Sequence, residues 1–121
     1  MAPRVLVVED EPLVREMAVE ALRDAGFEVL EAEDGGAALA LCGSTELDAL
    51  FTDIRLPGPI SGWDVAEKCR QRSPTLPVIY ATAMSTMAAR PVPGGRWCNK
   101  PYTPEQVVAC VRAATKMRAA T

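Results

Sequence analysis

Apolar residues in this chain come in short runs, each stopping abruptly at a polar or charged position. Val5-Leu6-Val7-Val8 is one such run, mostly β-branched, and it halts at Glu9-Asp10-Glu11. A run without polar alternation predicts a strand covered on both faces. Pro12 suits the first turn of a helix, and the acids ahead of it favour a helix N-terminus. Val14, Met17, Ala18, Ala21, Leu22 and Ala25 then recur at helical spacing and make one apolar face. Gly26 is the expected stop.

The same alternation continues down the chain. Phe27 to Ala32 reads as a second strand, and Asp34 caps a short Ala- and Leu-rich helix reaching about Cys42. Leu47 to Thr52 is a third apolar run, broken at Asp53, and Leu56-Pro57-Gly58-Pro59-Ile60-Ser61-Gly62 is a turn-rich loop. A helix is expected from about Trp63 to Arg72, ended by Ser73-Pro74. Pro77 to Ala81 predicts a fourth strand, ending at Thr82. Between Ala83 and Asn99 the pattern supports only a helical turn through Met87, followed by Pro91, Pro93, Gly94 and Gly95. Arg96-Trp97-Cys98 is a short fifth strand. The last helix starts near Thr103-Pro104-Glu105, turns Val107, Val108, Val111 and Ala114 inward, and carries cations from Lys116 to Arg118 where the helix dipole prefers them.

Strand and helix thus alternate about five times with short connections, which predicts a parallel sheet with helices on both faces. Residues 1–121 read as one domain, without internal repeat or linker, and 121 residues suffice for a core that needs no staples.

Composition narrows the chemistry. The net charge is −3 with no basic run, which argues against direct nucleic-acid binding. There is no histidine, so imidazole bases, Ser-His or Cys-His pairs and His-ligated metals are excluded. Cys42, Cys69, Cys98 and Cys110 lie far apart in sequence and read as reduced thiols filling the core. No signal peptide or membrane-spanning run is seen, so the expectation is a soluble cytoplasmic domain.

In an open α/β sheet, ligands bind outside the carboxyl ends of the strands. The polar residues at those ends are Glu9 and Asp10, Asp53, Thr82 and Lys100. Three carboxylates converging on one mouth call for a hard divalent cation such as Mg²⁺. With a lysine and a hydroxyl aimed at the same place, the set suits phosphoryl transfer onto an aspartate, Asp53. Glu11 reads as an acidic first turn and Trp63 as a packing or partner-surface residue.

Four segments carry a family resemblance: Val-Leu-Val-Val-Glu-Asp-Glu-Pro (5–12), Phe-Thr-Asp-Ile-Arg-Leu-Pro-Gly (51–58), Pro-Val-Ile-Tyr-Ala-Thr-Ala (77–83) and Asn-Lys-Pro-Tyr (99–102). In that order they closely resemble the receiver domain of bacterial two-component response regulators, from about Arg4 to Ala114. The resemblance implies a flavodoxin-like three-layer sandwich with strand order 2-1-3-4-5. It implies that Asp53 accepts a phosphoryl group from a sensor histidine kinase or a histidine phosphotransfer protein. Glu9, Asp10, Asp53 and the Arg55 backbone carbonyl would hold Mg²⁺. Thr82 would be the switch hydroxyl, Lys100 the phosphoryl contact, and Trp97 would occupy the switch-aromatic position. The Lys100-Pro101 bond is expected to be cis.

The sequence also departs from that family. The loop after Asp53 carries one extra residue within Gly58 to Gly62, and Arg55 puts a cation two residues past the acceptor. The stretch between Thr82 and Lys100 is several residues short, so the family's fourth helix is expected to be short or absent. Trp97 is bulkier than the usual Phe or Tyr, and packing and switching both suit it.

The chain is expected to be a monomer or weak dimer, and a degenerate receiver binding partners without phosphorylation is the alternative reading. An Mg²⁺-dependent phosphatase with an Asp nucleophile would need a second acid just past Asp53 and a cap segment. Ile54 and Arg55 follow instead, and no cap is seen. A flavin-binding relative lacks its phosphate loop after the first strand.

Overall fold

The computed structural model describes residues 2–83 and 90–120, without the side chains of 117–120. Its elements alternate as β1 (Arg4–Val8), α1 (Pro12–Asp24), β2 (Glu28–Ala32), α2 (Gly35–Ser44), β3 (Ala49–Asp53), α3 (Gly62–Arg72), β4 (Val78–Thr82), β5 (Arg96–Asn99) and α4 (Pro104–Ala120). The five strands among the described residues form one sheet in the order β2-β1-β3-β4-β5, with every neighbouring pair parallel. This is the flavodoxin-like order that the family resemblance implied.

The period of a strand explains the three layers. Val5 and Val7 point to one side of β1, where they join Phe51, Ile79 and Cys98 under α1 and α4. Leu6 and Val8 point to the other, where they join Leu50, Val78 and Tyr80 under α2 and α3. A strand that serves two cores has no polar side, so β1 is an unbroken apolar run with Val5 to Val8 all at 0% exposure.

Helix starts are fixed locally. Asp34 accepts a hydrogen bond from the Ala37 amide at 2.8 Å, as its capping position predicts. α3 opens with a reciprocal pair: Ser61 accepts from the Asp64 amide, and Asp64 accepts from the Ser61 amide. Thr103 and Gln106 do the same for α4. α1 has no side-chain cap and relies on Pro12 in its first turn.

Between β4 and β5, residue 83 and residues 90–95 contain no helix, in keeping with the expectation that the helix the family carries between these two strands is short or missing. The helical turn through Met87 lies outside the described residues, as does the Arg118 side chain. Among the described residues that follow, Val92 is buried and donates its amide to the Tyr80 hydroxyl at 3.0 Å, while Arg90 pairs with Asp64 and Glu67 of α3. The segment from Arg90 to Gly95 is therefore strapped across β4 and tied to α3.

The reading of four separate reduced thiols is corrected. Cys42 and Cys69 are joined as a disulfide between α2 and α3, with Cα atoms 5.8 Å apart; Cys98 and Cys110 are free. Their 27-residue separation hid the pairing, because it arises only when the two helices pack side by side.

Candidate functional site

Strand order reverses between β1 and β3, the place at the carboxyl edge where open α/β sheets bind their ligands. Glu9 and Asp10 follow β1, Asp53 ends β3, Thr82 ends β4, and Lys100 follows β5. Glu9, Asp53 and Lys100 are brought into direct contact. The Lys100 ammonium donates to Glu9 Oε1 at 2.6 Å and to Asp53 Oδ2 at 3.0 Å. Its own backbone amide donates to the Thr82 carbonyl at 2.8 Å, which fixes the lysine at the end of β4. The Lys100-Pro101 bond is cis.

Glu9 is held on several sides. Its Oε2 accepts from the Glu11 amide at 3.2 Å, and its backbone carbonyl accepts from Arg15 Nη1 at 2.8 Å. The residue is only 1% exposed. Burial pushes its carboxyl above the ordinary value, the charge of Asp53 adds to this, and hydrogen bonding to Lys100 and to the Glu11 amide works against it. For Lys100, burial favours the neutral amine, but hydrogen bonds to Glu9 and Asp53 and their charges outweigh it and hold the ammonium above its usual range. Two carboxylates sharing one ammonium leave the cluster with an excess of negative charge.

That excess fits a hard cation. One carboxylate oxygen from each of Glu9, Asp10 and Asp53 lies within 4.8 Å of the others. Asp10 is exposed, so the mouth of the cluster faces water. An all-oxygen set with room for retained water suits Mg²⁺ and offers nothing to soft metals.

The remaining predicted residues are placed as follows. Thr82 is 8% exposed at the end of β4, one residue past Ala81, which pairs with Asp53 across the ladder. Arg55 is exposed, two residues beyond Asp53. Trp97 lies outside the carboxylate cluster. It pairs with Tyr80 across the β4–β5 ladder, with ring centroids 5.4 Å apart from Tyr80 and 5.8 Å from Trp63, and is 45% exposed. Trp63, 4% exposed, packs on Tyr80 at 4.8 Å and is a core residue.

Two contributors escaped the sequence reading. The Tyr102 ring meets Phe51 edge-on at 5.7 Å and is buried beside the cluster; burial, then the charges of Glu9 and Asp53, keep its phenol protonated. Its place in Asn-Lys-Pro-Tyr was the available signal. Gly62 allows α3 to start against the acceptor: its amide donates to the Ile54 carbonyl at 2.8 Å. A Cβ there would collide with the Asp53 carbonyl oxygen and come within 2.8 Å of the Ile54 Cα.

A doubly wound sheet that gathers Glu9 and Asp53 on the Lys100 ammonium at its carboxyl edge defines an α/β class with an acidic, lysine-bridged cluster at the point where strand order reverses. The response regulator receiver domain model matches residues 5–112, and the chain belongs to that family, a module of two-component signalling. It is 38% identical over 113 residues to the probable transcriptional regulatory protein TcrX of Mycobacterium tuberculosis, covering 90% of this chain and 48% of that protein. The chain spans about half the length of the curated relatives it matches. Among solved structures it is similar to a response regulator receiver protein of Sinorhizobium medicae, with a TM-score of 0.90, 29% identity and 97% of each chain covered. It is also similar to the chemotaxis protein CheY4 of Vibrio cholerae, with a TM-score of 0.85, 27% identity, and 94% of this chain and 99% of that one covered. No helix among the described residues is long and apolar enough to cross a membrane.

Proposed function

We propose that residues 1–121 act as one receiver unit, a phosphorylation-controlled switch of two-component signalling working in the cytoplasm. Asp53 is the phosphoacceptor. A sensor histidine kinase or a histidine phosphotransfer protein is the donor. An Asp53 oxygen forms the new P–O bond as the P–N bond of the phosphohistidine breaks and the imidazole leaves. The observation that carries this reading is the Lys100 ammonium shared between Glu9 and Asp53. An ammonium already at the acceptor carboxylate can hold an incoming phosphoryl oxygen without having to be recruited.

Glu9, Asp10, Asp53 and the Arg55 backbone carbonyl would hold Mg²⁺, which supplies neutralisation of the phosphoryl charge when bound. Lys100 keeps its proton and pairs with the transferred group. Thr82, at the end of the neighbouring strand, offers a hydroxyl to the phosphoryl group, and Trp97 stands at the position where the change is passed to the surface. The unit's own chemistry is confined to gaining and losing that phosphoryl group, and its output is altered binding of a protein partner.

Intact mass after incubation with acetyl phosphate tests this reading, with and without Mg²⁺, on the wild type and on Asp53→Asn. The expected result is one Mg²⁺-dependent phosphoryl adduct, removed by hydroxylamine and absent from the variant. A folded protein that binds Mg²⁺ yet takes no adduct, even from a cognate phosphodonor, would instead be a binding module independent of phosphorylation.

A further inference from the structure

All four cysteines are dispersed in the sequence, yet they pair in space, and the two pairs differ. Cys98 of β5 and Cys110 of α4 lie side by side but unbonded. Burial first, and then the neighbouring sulfur, push the Cys98 thiol up to about 12, so it stays a protonated core thiol. Cys42 of α2 and Cys69 of α3 instead face each other with Cα atoms 5.8 Å apart, inside the range of roughly 4.4–6.8 Å that a disulfide spans.

The surrounding structure holds this second pair in register by means other than sulfur. Arg72 lies three residues past Cys69, on the same side of α3, and its Nη1 donates to the Cys42 carbonyl at 2.8 Å. The two helices are therefore already tied at Cys42 itself. A cavity of about 900 Å³ reaches both cysteines, lined also by Leu47, Leu76, Thr45 and Ser73. It lies at the amino ends of the strands, away from Asp53. Access is unequal: Cys42 is 7% exposed and Cys69 is 0%.

We propose that Cys42 and Cys69 are a reversible two-electron thiol–disulfide site that fastens α2 to α3, with Cys42 as the sulfur that meets the oxidant or reductant. With hydrogen peroxide as oxidant, Cys42 sulfur attacks one oxygen, the O–O bond breaks, and water leaves behind a sulfenic acid. Cys69 sulfur then attacks Cys42 sulfur; the S–S bond forms, and the hydroxyl departs as a second water with the Cys69 proton. The two thiols lose two electrons and the peroxide gains them. A small dithiol reverses the reaction through a mixed disulfide at Cys42, releasing Cys69 first.

Thiol counting tests this on the whole chain. The protein is treated with peroxide, freed of oxidant, denatured, alkylated and weighed, with the labelled peptides mapped. The expected result is alkylation at Cys98 and Cys110 only, and at all four cysteines when dithiothreitol precedes denaturation. The oxidised form is expected to melt at least about 5 °C higher than the reduced one, since the bond closes a loop of nearly thirty residues. After exposure to oxidised glutathione, Cys69→Ala is expected to carry the adduct at Cys42, whereas Cys42→Ala leaves Cys69 unmodified. Four alkylated thiols after peroxide, a Cys98–Cys110 bond, disulfide-linked dimers, or glutathione on Cys69 would each overturn the proposal. The wild-type count decides the matter even if a variant fails to fold.

Discussion

Lys100 and Glu9 meet at 2.6 Å, one following β5 at the edge of the sheet and the other following β1, the first strand along the chain. Their contact closes the carboxyl edge across the centre of the sheet, and Asp53 shares the same ammonium from β3. Lys100→Met keeps the aliphatic stem and removes the charge, leaving two carboxylates facing each other in a largely buried place. The expected cost is about 2 kcal/mol in urea unfolding at neutral pH without divalent cation, and added Mg²⁺ should recover part of it. Equal stability of the two proteins would show that the ion pairs contribute nothing net.

The raised carboxyl of Glu9 has a definite signature against pH. A group that binds its proton more tightly when folded contributes stability that is full below its unfolded value, 4.5, and is lost as pH rises through the folded value. Glu9→Gln does not titrate. Wild type should therefore lose stability relative to Glu9→Gln as pH climbs above 4.5. A difference that stays flat from about pH 4 to about pH 7 would rule this out.

Gly62 and Gly43 make a matched test of close packing. Gly62→Ala drives a methyl group into the Asp53 backbone, with an expected loss of about 2–4 kcal/mol and a displaced acceptor loop. Gly43 sits in α2 with nothing within 4 Å of the position its Cβ would take, so Gly43→Ala should gain roughly 0.5–1 kcal/mol. Thermal melts of both variants read the contrast directly.

Tyr80 is fully buried, and its hydroxyl is the acceptor for the Val92 amide. Tyr80→Phe keeps the ring against Trp63 and Trp97 but strands that N–H, at a cost of about 1–3 kcal/mol. Hydrogen exchange should quicken at Val92 more than at Leu6 or Val8 of β1. Uniform quickening would mean that the strap has no local role.

The order of elements was legible because each apolar run and each cap is a local property. Val5 to Val8, Asp34 and Pro12 all behave as their neighbours dictate. The convergence of Glu9, Asp10, Asp53 and Lys100 was legible for a different reason: a parallel sheet sends every strand end to the same edge, so knowing the strands is enough to know who meets. What stayed hidden depends on how helices lie against one another. Cys42 and Cys69 meet only because α2 and α3 pack in one register, and no period in either helix records that register. The Arg90 tether to α3 was hidden likewise, since the prolines and glycines around it mark a loop without saying what the loop crosses.

The aromatic trio has one more consequence. The chain has two tryptophans, and their rings lie 5.8 Å apart with Tyr80 between α3 and β5. Its tryptophan emission therefore originates from a single spot, one ring shielded and the other partly wetted. Light from this protein is a one-channel gauge of the seam where the last strand meets the third helix, built in without any added dye.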